Sequence, residues 1–100
     1  MDQFSVQIFA VIHQIPHGKV TSYGVVAKLA GYPGYARQVG KVLSNLPKDT
    51  RLPWFRVVNS QGKISLTGDA LQRQKEKLLR EGIKVSEGGK IKMSVYQWQP

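Results

Sequence analysis

Thr21-Ser22-Tyr23-Gly24-Val25-Val26-Ala27-Lys28-Leu29-Ala30-Gly31-Tyr32-Pro33-Gly34-Tyr35-Ala36-Arg37-Gln38-Val39-Gly40-Lys41-Val42-Leu43-Ser44-Asn45 is the stretch that decides the fold. Thr21 and Ser22 are helix-capping residue types. Behind them Val25, Val26 and Leu29 share one helical face, and Gly31 closes the segment. A Gly-Tyr-Pro-Gly turn follows, and a second helix is predicted over residues 35–45, where Val39, Val42, Leu43 and Leu46 recur at intervals of 3, 1 and 3. Two short helices across a tight Gly/Pro turn are the pattern of a helix-turn-helix, which many helical hairpins share. The outward side of the second helix carries Arg37, Gln38, Gly40, Lys41 and Ser44. Small and basic residues there suit either close approach to a polyanion groove or an ordinary solvated face.

On the N-terminal side, Phe4, Ile8, Val11, Ile12 and Ile15 form a stripe of helical period, with Asp2 as cap and Pro16 and Gly18 as stops. This predicts a helix over residues 3–14. On the C-terminal side, residues 46–53 read as a loop leading into the apolar Trp54-Phe55-Arg56-Val57-Val58 and the turn Asn59-Ser60-Gln61-Gly62. Lys63-Ile64-Ser65 reads as extended. Asp69 is expected to cap a further helix from Ala70 to about Glu81, with Leu71, Leu78 and Leu79 inward and Gly82 as its stop. Ile83 and Val85, Glu87-Gly88-Gly89, then Ile91, Met93 and Val95 in alternation predict a terminal β-hairpin. The expected architecture is mainly α with small β elements: a single winged-helix-like domain spanning 1–100.

The totals narrow the class. Fifteen Lys and Arg against six Asp and Glu give a formal charge of +9. Such a surplus suits a polyanion, since each neutralised phosphate releases condensed counterions. It does not distinguish one polyanion from another. With no cysteine in the chain, disulfides, thiol nucleophiles and cysteine metal sites are excluded. His13 and His17 stand four apart with Pro16 between them, so no metal site is expected, and no cofactor. No apolar run approaches the roughly 18–20 residues of a membrane span, and the start lacks the features of a signal peptide. A cytoplasmic monomer without membrane contact is the expectation.

Three further motifs give a more specific resemblance. Ile15-Pro16-His17-Gly18-Lys19-Val20-Thr21-Ser22-Tyr23-Gly24, then Tyr35-Ala36-Arg37-Gln38-Val39-Gly40, then Pro53-Trp54-Phe55-Arg56-Val57-Val58 resemble the O6-alkylguanine-DNA alkyltransferases. The similarity runs from about Phe4 to Gly82, and the closing Tyr96-Gln97-Trp98-Gln99-Pro100 resembles the tails of the alkyltransferase-like proteins. In the enzymes the third motif reads Pro-Cys-His-Arg-Val, and its cysteine accepts the alkyl group. Tryptophan at that position resembles the alkyltransferase-like proteins, where the motif is Pro-Trp-His-Arg-Val.

The resemblance implies a helix-turn-helix that enters the minor groove of duplex DNA and flips an O6-alkylguanine into a pocket. Tyr23 would stand at the target nucleotide and Arg37 would fill the vacated stack, with Tyr35 and Ala36 beside it. Trp54 would floor the pocket, backbone groups near Trp54 and Val57 would meet the guanine edge, and Leu66, Thr67 and Gly68 would belong to the lid. Ser22, Gln38, Gly40 and Lys41 would make groove or phosphate contacts. Without the motifs, Tyr23 reads as half-buried core, Trp54 as plain core and Arg37 as surface. The enzymes' relay of cysteine, histidine and glutamate falls on Trp54, Phe55 and Glu81. Indole offers no polarisable lone pair like a thiolate's, and phenyl cannot act as a base. No alkyl transfer to this chain is expected, and Glu81 reads as a residue that caps or solvates a helix end. Where some relatives carry a basic lid residue this chain has Thr67. The implied function is a non-enzymatic lesion sensor that marks sites for nucleotide excision repair proteins. A glycosylase using Glu81 or Asp69, and a winged-helix regulator without lesion specificity, are the alternatives.

Overall fold

Asp2 starts the first helix by accepting a 2.7 Å hydrogen bond from the Ser5 N–H, filling one of the donors a helix start leaves open. In the computed structural model, which describes residues 2–100, this helix is α1 (Gln3–His13). The chain continues through β1 (Thr21–Ser22), α2 (Tyr23–Leu29), α3 (Ala36–Ser44), a short 3-10 helix at Trp54–Arg56, β2 (Val57–Val58), α4 (Gly68–Arg80) and α5 (Met93–Tyr96). The architecture is the expected one, mainly helical around a small sheet. No helix among the described residues is long and apolar enough to cross a membrane.

β1 and β2 pair in parallel, Thr21 against Val57 and Ser22 against Val58. The pair divides the core, because successive residues of a strand point to opposite faces. Val57 packs with Ile8, Val11, Ile12 and Ile15 and with Val26, Ala27, Ala30 and Val39, the helical half. Val58 packs with Val20, Ile64, Leu78, Ile83 and Ile91, the C-terminal half. The tail is tied beside β1, with Val20 donating to the Tyr96 carbonyl at 2.9 Å and Trp98 donating to the Val20 carbonyl at 2.7 Å.

Within this sheet the Thr21 hydroxyl is buried with no hydrogen-bond partner among the described residues. An unsatisfied buried hydroxyl is destabilising. Thr21→Val keeps the shape and removes the polar atom, so chemical denaturation should find the variant more stable by about 1–2 kcal/mol.

The structure corrects several local expectations. α4 begins at Gly68, with Thr67 in the cap position and making no side-chain cap bond, and Asp69 lies in the first turn, where its charge complements the helix dipole. Its inward stripe is Leu71, Gln74 and Leu78, while Leu79 is 49% exposed, since one residue of helix rotates a side chain by about 100° off the stripe. Leu29 is likewise exposed, and Ala27 and Ala30 join Val26 in the core instead. The terminal hairpin is reduced to the tight turn at residues 86–90 and a single bridge between Val85 and Ile91. Met93 and Val95 lie in α5, so their alternation does not report a strand. The reason lies at Gly62, where φ is +79° and a β-carbon would come within 2.7 Å of the Ile91 carbonyl. The Asn59 turn occupies the space alongside Ile91 and Met93, and Ile91 bonds to the Gly62 carbonyl rather than to a longer partner strand.

Candidate nucleic-acid interface

Ser22 caps α2 by accepting from the Val25 N–H at 3.2 Å. Its side chain is buried, its hydroxyl oxygen taken up by this cap. The cap places Tyr23 in the first turn of α2, half-buried, with its hydroxyl 3.0 Å from Ser65 Oγ. Ser65 thereby joins Tyr23 to the segment before α4, a link across 42 positions that no local pattern reveals.

α3 lies against this ring. A β-carbon on Gly40 would stand 3.8 Å from Cε1 of Tyr23. Gly40 therefore faces Tyr23 rather than outward, and its lack of a side chain lets the ring lie close to the helix backbone. Turned about 100° per residue, Arg37, Lys41 and Ser44 form an exposed ridge along α3, with Gln38 also exposed beside them. Arg37 is in the first helical turn and is unpaired; among the described residues the ion pairs are Arg56–Glu81 and Arg80–Glu76. Tyr35 stands at the N-cap position of α3, without a side-chain cap bond, and joins an aromatic cluster, 6.0 Å from Phe4 and 5.9 Å from Tyr32 between ring centres. Ala36 follows as the first helical residue.

Between α3 and α4 lies a cavity of about 600 Å³, within the range of small-molecule pockets, about 300–1,000 Å³. Tyr23, Gly40, Leu43, Trp54, Leu66 and Gln74 line it, together with Lys48, Arg73 and Lys77. Of the residues expected from sequence, it brings together Tyr23, Gly40, Trp54 and Leu66. Arg37, Gln38 and Lys41 lie on the neighbouring surface of α3, and Thr67 and Gly68 are exposed where α4 begins. In the lid segment it is Leu66 that faces the cavity. Val57 is buried in the core, and its carbonyl accepts from Gln74 Nε2 at 3.1 Å. The same amide donates to the Phe55 carbonyl at 3.0 Å. Gln74 thus fixes the strand behind the cavity, a role that its position between the expected inward leucines does not reveal. Trp54 donates its backbone N–H to the Leu52 carbonyl at 2.7 Å, so this amide, expected at a base edge, already has a partner within the chain.

The ring of Phe55 is a junction. It meets Trp54 edge to face at 5.9 Å, and it has the Arg56 guanidinium carbon 5.4 Å and the Lys77 Nζ 5.6 Å from its centre. The negative face of a phenyl ring attracts both cations, whereas a protonated imidazole would repel them. Arg56 also forks onto Glu81, with Nε 3.0 and 3.1 Å from its two carboxyl oxygens, and Nη1 donates to the Ile15 carbonyl at 2.8 Å. Glu81 accepts in addition from the Gly18 N–H at 3.0 Å. Glu81 does stand at the C-cap of α4, its backbone N–H donating to the Leu78 carbonyl, but its side chain is not solvated: with 7% exposed, it ties the loop after α1 to the Trp54 segment. Burial alone raises the Glu81 carboxyl, but the hydrogen bonds from Arg56 and Gly18, with the charges of Arg56 and His17, outweigh it and hold the group below its ordinary range.

No group of three or more His, Asp or Glu suited to a metal occurs among the described residues. The family model described as the 6-O-methylguanine DNA methyltransferase DNA-binding domain matches residues 3–83. A DNA base-flipping protein of Vibrio parahaemolyticus is 71% identical over 100 residues, covering all of both chains. Alkyltransferase-like protein 1 of Schizosaccharomyces pombe is 39% identical, over 100% of this chain and 98% of its own. Its crystal structure in complex with damaged DNA containing O6-carboxymethylguanine superposes with a TM-score of 0.93, at 39% identity and the same coverage. Mycobacterium tuberculosis OGT in complex with DNA gives a TM-score of 0.74 at 31% identity, over 81% of this chain and 50% of that one. With the domain matched from α1 past the end of α4 and relatives similar from end to end, this chain belongs to the 6-O-methylguanine DNA methyltransferase DNA-binding family, in its alkyltransferase-like branch.

Proposed function

We propose that this chain is a non-enzymatic sensor that binds duplex DNA and holds a flipped O6-alkylguanine in the cavity between α3 and α4. The observation that carries the reading is Trp54: a half-buried indole lines a cavity where the transferring enzymes have their acceptor cysteine. Flipping costs a few kcal/mol and costs least where pairing is already damaged. O6-alkylation removes the N1 proton and weakens pairing with cytosine, so selectivity begins before the base reaches the cavity. Stacking on Tyr23 or Trp54 adds about 1–3 kcal/mol. Arg37, exposed and unpaired, is suited to enter the vacated stack, because its planar cation both stacks and donates to the orphaned base. Lys41 and Gln38 supply backbone contacts from the minor-groove side.

The names of the relatives and the complexes with damaged DNA support this reading. With neither a thiol in the chain nor an imidazole at Phe55, the alkyl group stays on the guanine. The lesion, held and exposed, is then marked for nucleotide excision repair, with the sensor acting as a cytoplasmic monomer. The test is competitive binding of a duplex containing O6-methylguanine against the unmodified duplex, with intact-mass measurement of the protein afterwards. Tighter binding of the lesion with unchanged mass is expected. Equal affinity, or a mass gain of one methyl group, sinks the proposal.

A further inference from the structure

The cavity wall carries charge of one sign. Lys48 from the loop after α3 and Arg73 and Lys77 from α4 line it, and no Asp or Glu does. Arg73 and Lys77 are four apart and so share one face of α4. Neither is in an ion pair among the described residues; the acidic side chain nearest in sequence, Glu76, is taken by Arg80 at 2.9 Å. Lys77 is also held in place, its ammonium 5.6 Å from the centre of Phe55, and Phe55 packs on Trp54, a lining residue of the same cavity. Leu66, which also lines the cavity just before α4, brings no charge. Two of the three cations therefore sit on α4, Lys77 linked through Phe55 to the indole.

From this arrangement, and resting on the reading of the cavity as a flipped-base pocket, we infer that it discriminates among O6-alkyl adducts by charge. It favours an adduct ending in a carboxylate over a neutral adduct of the same size, through Arg73 and Lys77, with Phe55 positioning Lys77. The wall of an isolated apolar pocket would do the reverse, since stripping water from a carboxylate is unfavourable unless a cation replaces it. Two donors on one helix face, one of them pre-placed on an aromatic ring, provide that replacement with little ordering at binding.

The experiment measures affinity for duplexes that carry O6-carboxymethylguanine or its neutral counterpart O6-carbamoylmethylguanine, with O6-methylguanine and unmodified duplexes alongside. The wild-type chain should favour the carboxylate over the amide by about tenfold. Reading each variant by that ratio cancels any common loss of DNA affinity. Lys77→Met and Arg73→Gln should each bring the ratio toward one, and Lys77→Arg should retain it. Phe55→Leu, which keeps apolar bulk but removes the ring, should lower it, and Phe55→Tyr should not. A wild-type ratio near one overturns the inference, as does a ratio unmoved by both Lys77→Met and Arg73→Gln, the result expected if these cations only neutralise backbone phosphates. If neither the alkylated nor the unmodified duplex is preferred, the lesion-sensor reading fails first and this inference with it.

Discussion

Replacing Arg56 with methionine is expected to lower stability by about 3–5 kcal/mol, because it leaves the Glu81 carboxylate buried with only the Gly18 N–H as partner. In a domain of this size that is a large share of a total of about 5–15 kcal/mol. The melting temperature should fall by more than about 10 °C. A denaturant titration should place the change in the midpoint, with the slope unaltered. Exchanging both partners for apolar residues, Arg56→Met with Glu81→Leu, should cost less than Arg56→Met alone, since the penalty comes from the stranded charge rather than from the lost pair.

The same pair sets an acid limb. Glu81 has a folded-state carboxyl depressed below its ordinary 4.5. Its contribution is therefore fully present above that pH and is lost as pH falls through the lowered folded value. In acid titrations of stability the wild-type chain should show this loss, and Glu81→Gln should lack that component. Because Arg56 also holds the Ile15 carbonyl and contacts Phe55, loosening the pair should disturb the seat of Trp54 before the domain unfolds.

The second large effect is expected at Arg37. Arg37→Ala should weaken binding to an O6-methylguanine duplex by about 10–100-fold, the loss of a group that compensates a flip costing a few kcal/mol. Binding to unmodified duplex should change by no more than about threefold, as for one phosphate contact among several. Salt titrations separate the two roles. Removal of a phosphate contact lowers the slope of log K against log salt by about one, whereas removal of an inserted side chain leaves the slope in place. A uniform loss on all duplexes with a reduced slope would return Arg37 to an ordinary basic surface and favour a regulator without lesion specificity.

Legibility followed the range of the interaction. The period of Ile8, Val11, Ile12 and Ile15, the caps at Asp2 and Ser22, and the turn from Gly31 to Gly34 act over three or four residues, and all were readable. Arg56 and Glu81 are 25 positions apart, and Tyr23 and Ser65 are 42 apart. Their partners have no local signature, which is why Glu81 reads as a solvated helix end. The expectation that Leu79 points inward failed for a related reason. Hydrophobicity places leucine inside, but the direction of the α4 stripe depends on what lies opposite, here the carbonyls of Phe55 and Val57, which accept from the Gln74 amide. At the C-terminus the alternation of Ile91, Met93 and Val95 suits a strand, yet the approach of Gly62 limits pairing to isolated bridges.

The missing cysteine, the excess of positive charge, the helical pair and the order of the motifs, on whose resemblance the reading of Trp54 rests, are all properties of the chain's covalent order, so no folding was needed to read them. Which of those residues share a cavity was another matter. Packing brought Tyr23 onto Gly40, buried the Ser22 hydroxyl in a cap, turned Gln74 inward and set Lys77 over Phe55 beside Trp54. These are consequences of two cores meeting on opposite faces of a two-stranded sheet, an arrangement in which the geometry of each contact depends on elements distant in sequence.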